Sequence, residues 1–375
     1  MEIGDRDLMF LHVITKANHV YTDAFVKMIK QSFGDEHKIL FLGSIEEASA
    51  FLSQQDNISY APEIGKSLYK KIKAMALEVD YIIFHMYTYD NVMQGCMLLN
   101  PQMMKKSVWV EWGADLYSWK RSTEGHSFYQ KIKDHLANII FYWFRKKTRN
   151  IVAYKMDQPE CIRQFGNHAT LHLAGYPLGY TCETIDDCRP LPTSNSKIIR
   201  IMVGHSATKD DNHIEVLDNL YRNPLKDSIE IVLPLNYGDH EYAKAVIDHA
   251  QKLFPGRCNA ILNRLDMPNY IRLLWSIDIA IFHSTRQIAL GNIYMLMHMG
   301  KKICIPSGSI MYNFFVGEGV RIYDSNHLEA NEAMQQLTEK EATIEKQYVF
   351  QYIDKTACIK RWEGIFQRLK DQKEN

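Results

Sequence analysis

Residues 197–217 read KIIRIMVGHSATKDDNHIEVL, and the change of period inside this stretch fixes the class of fold. Ile, Met and Val dominate up to Gly204, as in a buried strand. Small polar residues follow, and from Asp211 onward apolar residues return at helical spacing. A strand that turns through glycine directly into a helix is the opening of a βαβ unit, whose strands lie parallel.

The same alternation continues in both directions. Downstream, strands are expected at SIEIVLPL (228–235), CNAILN (258–263), IDIAIFH (277–283) and KKICIP (301–306). Upstream, they are expected at LMFLHVI (8–14), KILFLG (38–43), DYIIFHM (80–86), SVWVEW (107–112), NIVAYKM (150–156) and ATLHLA (169–174). Amphipathic helical segments lie between them. The fold class is therefore α/β, with two Rossmann-like domains facing a central cleft. Between the two series, GYPLGYTCETIDDCRPLPTSNSK (175–197) breaks every period and reads as the linker under which the cleft lies. The expected domains are 1–178, 195–345, and a C-terminal segment 346–375 of helical spacing that packs back across the linker.

A chain of 375 residues exceeds the size at which one core stops growing, which agrees with two domains. Lys+Arg and Asp+Glu balance at 44 each, so no global field points to nucleic acid, and an anionic ligand needs a local site. The first residues are acidic where a signal peptide is basic, and no run approaches the roughly 20 apolar residues of a membrane-spanning helix. A cytoplasmic protein is expected. Seven scattered cysteines without a CxxC pair read as small buried hydrophobes, not as a disulfide framework or zinc site.

Four stretches carry chemistry. In the first, Gly204 lets a backbone approach closely, and Ser206, Asn212 and His213 stand where a helix N-terminus meets phosphate. The same residues read as an ordinary loop whose helix is capped by Asp210 or Asp211. In the second, FHSTRQIALGN (282–292), Arg286 and Gln287 lie between a strand and a helix, and a guanidinium there suits a diphosphate through its bidentate fork. In the third, SVWVEWGADLYSW (107–119), Asp115 or Glu111 can serve an acceptor hydroxyl as base, with aromatic faces for the sugar; Asp115 also reads as a helix cap. His12 and His85, at strand ends, can face the cleft or be structural. No HExxH or comparable spacing occurs, so neither a tightly bound metal nor any cofactor is expected. The fourth, KIKDHLANIIFYWFRKKTRN (131–150), sets Ile132, Leu136, Ile139, Ile140, Trp143 and Phe144 on one helical face beside six cationic residues. That pattern suits either an anionic membrane surface or a core.

Taken with VLPLNY (232–237) and RQIALGN (286–292), the WGADLY (112–117) and VGHSATKDDNHI (203–214) stretches resemble, in order, a bacterial glycosyltransferase family. That family, also labelled 4-alpha-L-fucosyltransferase, has as its best-known member an enzyme that moves 4-acetamido-4,6-dideoxygalactose from its TDP donor to lipid II in enterobacterial common antigen assembly. The resemblance implies the GT-B fold, with the donor in the second domain and the acceptor in the first. It implies that Gly204, Ser206, Asn212, His213, Arg286 and Gln287 surround the diphosphate, that Pro234 and Tyr237 lie near the base, and that Asp115 and His12 face the acceptor. The sequence departs from the family pattern around Glu111 and at Ala289, which stands for a glycine. The expected activity is transfer of a deoxyhexose to a polyprenyl-diphosphate-linked saccharide by an enzyme peripheral to the inner face of the plasma membrane. An epimerase or hydrolase on the same fold would consume donor without acceptor, and a non-catalytic scaffold would bind donor without turnover.

Overall fold

The computed structural model describes residues 8–15, 19–87, 90–117, 120, 125–191 and 198–374. The chain divides into two compact units, residues 1–179 with 355–375, and residues 180–354. The expected linker is not wholly irregular: Cys182–Asp187 forms a helix of the second unit, capped by Thr181, while 192–197 lie outside the described residues. The expected C-terminal segment is likewise divided. A helix Glu339–Ile353 belongs to the second unit, the chain turns extended at Asp354, and a helix Lys355–Glu374 belongs to the first.

In the first unit seven strands form one parallel sheet: β1 (Phe10–Thr15), β2 (His37–Leu42), β3 (Ile58–Ala61), β4 (Tyr81–His85), β5 (Ser107–Val110), β6 (Asn150–Ala153) and β7 (Thr170–Leu173). Their order is β3-β2-β1-β4-β5-β6-β7, so direction of growth reverses between β1 and β4. Every residue of β1, β4, β5 and β6 is buried, the condition of strands covered on both faces by crossover helices, and it explains why they read as continuous apolar runs. One face is covered by a core containing Trp109, Phe141 and Phe144, and the other by a core to which the last helix contributes Trp362, Ile365, Phe366 and Leu369.

The second unit holds six parallel strands: β8 (Ile199–Val203), β9 (Ile229–Pro234), β10 (Cys258–Ile261), β11 (Ile279–Ile281), β12 (Lys302–Ile305) and β13 (Tyr323–Asp324). Their order, β10-β9-β8-β11-β12-β13, is that of the dinucleotide-binding Rossmann sheet, and its switch point lies between β8 and β11. The register pairs Val203 with Ile281, so both strands end at the same level and their loops emerge side by side. Among the described residues no helix is long and apolar enough to cross a membrane.

Candidate functional site

In an open parallel sheet, ligands bind outside the carboxyl ends of the strands at the switch point. In the second unit that place is built by the loops following β8 and β11. Gly204 donates its N–H to Ile281 O at 2.9 Å, and the Asn212 side chain donates to His283 O at 2.8 Å, so the two loops are stitched together at both ends. Arg286 reaches across to Asp210, donating from Nε at 2.7 Å and from Nη2 to the same carboxylate oxygen. The loop after β9 joins through Ala207, whose N–H donates to Tyr237 O at 2.7 Å and whose carbonyl accepts from Asp239 N at 2.9 Å. Tyr237 is exposed and its ring stands edge-on to His205 at 6.0 Å.

The interior of the first loop is organised by Asp211, which is fully buried and accepts from His205 Nδ1 at 3.0 Å and Ser206 Oγ at 3.2 Å, with Thr208 Oγ1 at 3.3 Å. Burial pushes this carboxyl up, but the hydrogen bond and the charge of His205 outweigh it and hold it below the usual range. Neither Asp210 nor Asp211 caps the following helix, His213–Arg222: one pairs with Arg286 and the other turns back into the loop. The helix starts instead from Asn212 in a left-handed conformation with no side-chain cap. Its first N–H groups are thus left for another acceptor.

Residues expected to border the donor, at its diphosphate or, for Pro234 and Tyr237, near its base, therefore separate into two sets. Asn212, Tyr237, Arg286 and Gln287 retain exposure at this edge, whereas Ser206, His213 and Pro234 are buried and support it. Gly204 has φ of 68°, and a Cβ there would lie 2.4 Å from His213 Nε2; its close backbone approach is to this imidazole. Burial lowers His213 to about 4, so its ring is neutral at physiological pH.

Sequence reasoning passed over His205, which lay inside the quoted loop, and the turn after β12. There Ser309 caps the helix Ile310–Gly317, whose first residue donates its N–H to Thr285 O at 3.4 Å, next to Arg286. The signal available was the PSGS run (306–309) between a strand and a helix.

In the first unit the expected acceptor residues are buried. His12 lies inside β1, not at its end, and is fully enclosed. Its Nδ1 lies 2.9 Å from His85 Nε2 and its Nε2 lies 2.8 Å from His37 Nδ1, while His85 Nδ1 meets the Tyr176 hydroxyl in a short contact. Both ring nitrogens are thus committed to a chain that runs across β1, β2 and β4. Burial, then the neighbouring imidazoles, drives His12 well below its ordinary value.

Asp115 is also buried, not set at an open mouth. It accepts from Tyr87 N at 2.8 Å, Trp109 Nε1 at 2.6 Å and Trp112 N at 2.9 Å, tying the loop after β4 to the loop after β5. Glu111 accepts from Gly113 N at 2.7 Å and Tyr154 N at 3.3 Å. Burial raises both carboxyls, Glu111 strongly, with the charge of Asp157 adding to its shift. Asp157 itself is pushed up by burial to about 6 and accepts from the Tyr117 hydroxyl at 2.6 Å. Ser118 and Trp119, the end of the third stretch, lie outside the described residues.

The fourth stretch forms the helix Phe128–Lys147. Its core face is Asp134, Ala137, Phe141, Phe144 and Arg145, so Phe144 and Arg145 do not share the surface of the other residues grouped with them. Phe128, Ile132, Leu136, Ile139 and Trp143 form an exposed stripe at steps of three and four, Leu136 being 55% and Trp143 51% accessible.

A family model described as 4-alpha-L-fucosyltransferase, glycosyl transferase group 56, matches residues 10–367. Among solved structures, Anabaena HepE in complex with UDP and glucose is 14% identical with a TM-score of 0.66, over 96% of this chain and 100% of that one. A glycosyltransferase from Rickettsia africae is 13% identical with a TM-score of 0.66, over 97% and 99%. Sucrose-phosphate synthase from Thermosynechococcus elongatus is 10% identical with a TM-score of 0.62, over 98% and 100%. At these identities the likeness concerns the fold, which is GT-B.

Proposed function

The chain belongs to the 4-alpha-L-fucosyltransferase family, glycosyl transferase group 56, and from that premise we propose that it moves a deoxyhexose bearing an acetamido or amino group from TDP to a polyprenyl-diphosphate-linked saccharide. The setting is surface polysaccharide assembly of the enterobacterial common antigen kind. The observation that carries this reading is the stitched pair of loops after β8 and β11, which brings Arg286 to the switch point of the second sheet.

As the bond between the anomeric carbon and the β-phosphate oxygen breaks, negative charge grows on the leaving diphosphate. A guanidinium and uncapped helix N–H groups are suited to that charge, and they perform the work that a divalent cation does elsewhere. In this reading phosphate oxygens replace Asp210 as the partner of Arg286, Asn212 and Gln287 border the diphosphate, and Tyr237 borders the base. The second unit takes the donor and the first the acceptor. Asp115, Glu111 and His12, buried with polar atoms occupied, hold the acceptor-side loops in shape and are positioning residues. The exposed stripe of the helix Phe128–Lys147 lies on the anionic inner leaflet, where a lipid-linked acceptor resides.

The test is thermal stability against TDP, UDP, GDP and CMP, each with and without magnesium. A ligand at 100 times its dissociation constant stabilises by about 2.7 kcal/mol. A rise with TDP that persists without magnesium supports the reading. No rise with any nucleotide counts against the donor site.

A further inference from the structure

A cavity of about 600 Å³ opens beside the helix Phe128–Lys147 in the first unit, within the size range of small-molecule sites. Four cationic side chains line it, Lys120, Arg145, Lys146 and Arg163, against one carboxylate, Glu160. Arg145 is 2% exposed and is held rigidly: Nη2 donates to Gln164 Oε1 at 2.6 Å, and the guanidinium stacks 5.2 Å from the centroids of both Trp109 and Phe165. Lys146 donates to Gln164 O and lies 5.5 Å from the Phe165 ring. Tyr117, Tyr142 and Phe165 supply an apolar wall.

Arg163 is paired with Glu160, to which its Nε donates at 2.7 Å, so the excess positive charge is that of Lys120, Arg145 and Lys146. Such an excess beside a concave aromatic wall selects an anion that carries apolar substance. The position of the cavity narrows the choice. Tyr142 and Lys146, in its lining, belong to the last turns of the helix whose exposed stripe ends at Trp143, and the stripe runs about 22 Å from Phe128 at 1.5 Å per residue. A phosphate seated in the cavity therefore has an apolar track leading away from it.

We propose that this cavity takes the phosphate of an anionic phospholipid head group, with the acyl chains of that lipid lying along the Phe128–Trp143 stripe. The inference rests on the membrane reading given above and adds to it a discrete, saturable lipid site. Diffuse attraction depends only on how many charges face the leaflet, about 1 kcal/mol for each Lys or Arg near the surface. A site depends on which charges they are.

Sedimentation of the full chain with vesicles of phosphatidylcholine alone, or containing phosphatidylglycerol, separates these cases. The double variant Lys146→Gln with Arg163→Gln is compared with Lys131→Gln with Lys133→Gln, which removes equal charge outside the cavity, from the helix that carries Lys146. The pocket pair is expected to lose about tenfold more affinity for phosphatidylglycerol vesicles than the control pair, a difference near 1.4 kcal/mol. Equal losses overturn the site while leaving the membrane reading intact, whereas a wild-type chain that binds neither vesicle removes both. In the unaltered protein, short-chain phosphatidylglycerol below its micellar concentration is expected to slow hydrogen exchange in the helix Gln158–Phe165. Equal protection by inorganic phosphate, or protection by geranylgeranyl diphosphate alone, sinks the phospholipid assignment.

Discussion

In the proposed donor site, Arg286 is the group that meets the leaving diphosphate. Replacing it with Ala is expected to lower turnover by about 10²- to 10³-fold, the scale for removing one preorganised donor from a developing anion, with the melting temperature little changed, since its ion pair with Asp210 is partly exposed. Steady-state transfer assays check this, and near-normal turnover would falsify the assignment. Gly204→Ala reports on scaffold instead: a left-handed φ costs a Cβ-bearing residue roughly 1–2 kcal/mol, and the contact with His213 adds to that. Urea unfolding of the variant should show the loss. At this scale the sequence made chemistry legible but not burial. Arg286 and Asn212 could be named from type and neighbourhood because loops at strand ends are exposed by topology. Asp115 and His12 looked equally chemical, and only the packing of the Tyr87 and Trp109 groups or of His85 and His37 around them reveals that their polar atoms are already taken.

At the scale of elements, the imidazole chain across β1, β2 and β4 ties the first sheet to neutral histidines. Burial holds His85 and His37 at about 3, against 6.5 when exposed. As pH falls below 6.5 the unfolded chain binds protons that the folded sheet refuses, so stability is lost toward acid by up to about 1.4 kcal/mol per pH unit for each group. The difference in urea midpoint between wild type and His12→Asn should therefore shrink from pH 7 to pH 5. The helix Glu339–Ile353 behaves oppositely. Glu345 is fully enclosed without a hydrogen-bond partner, and burial, then Glu341, pushes it up to about 9. The folded state keeps a proton that the unfolded chain gives up above 4.5, so this helix weakens as pH rises from 4.5 to 9. Glu345→Gln should be stabilised relative to wild type at pH 8, by up to about 5 kcal/mol at roughly 1.4 kcal/mol per pH unit above 4.5, and little changed at pH 4.5, measured by the same unfolding curves. Nine of the eleven strands read from the sequence are central in their sheets and are apolar because they are covered on both faces, while the edge strands β7 and β10 were legible although only partly buried. The other two edge strands, β3 and β13, four and two residues long and partly buried, were missed because so short a run leaves little pattern to read.

For the whole molecule, the helix Lys355–Glu374 decides how the chain is partitioned. It follows the second unit in sequence yet supplies Trp362 to the core of the first, where the indole also donates to Gly175 O at 3.0 Å. Trp362→Ala should cost about 3–5 kcal/mol, the range for large aromatic truncations in cores, and should lower the melting of the first unit while leaving that of the second in place. Differential scanning calorimetry, with TDP present to mark the second unit if the proposed donor site holds, reads both transitions, and an equal drop in the two contradicts this division. The helical spacing of this segment was plain in its sequence, but its destination was not, because periodicity states that a face is apolar and leaves open which core receives it. The consequence reaches into synthesis on the ribosome. Vectorial folding ordinarily favours the segment that emerges first, but here residues 8–179 leave the exit tunnel without the helix that seals one side of their sheet. They wait through the translation of 175 residues that can meanwhile complete a fold of their own. The unit made first is finished last, and a truncation just after residue 354 should release a chain whose second unit is native while its first still attracts chaperones.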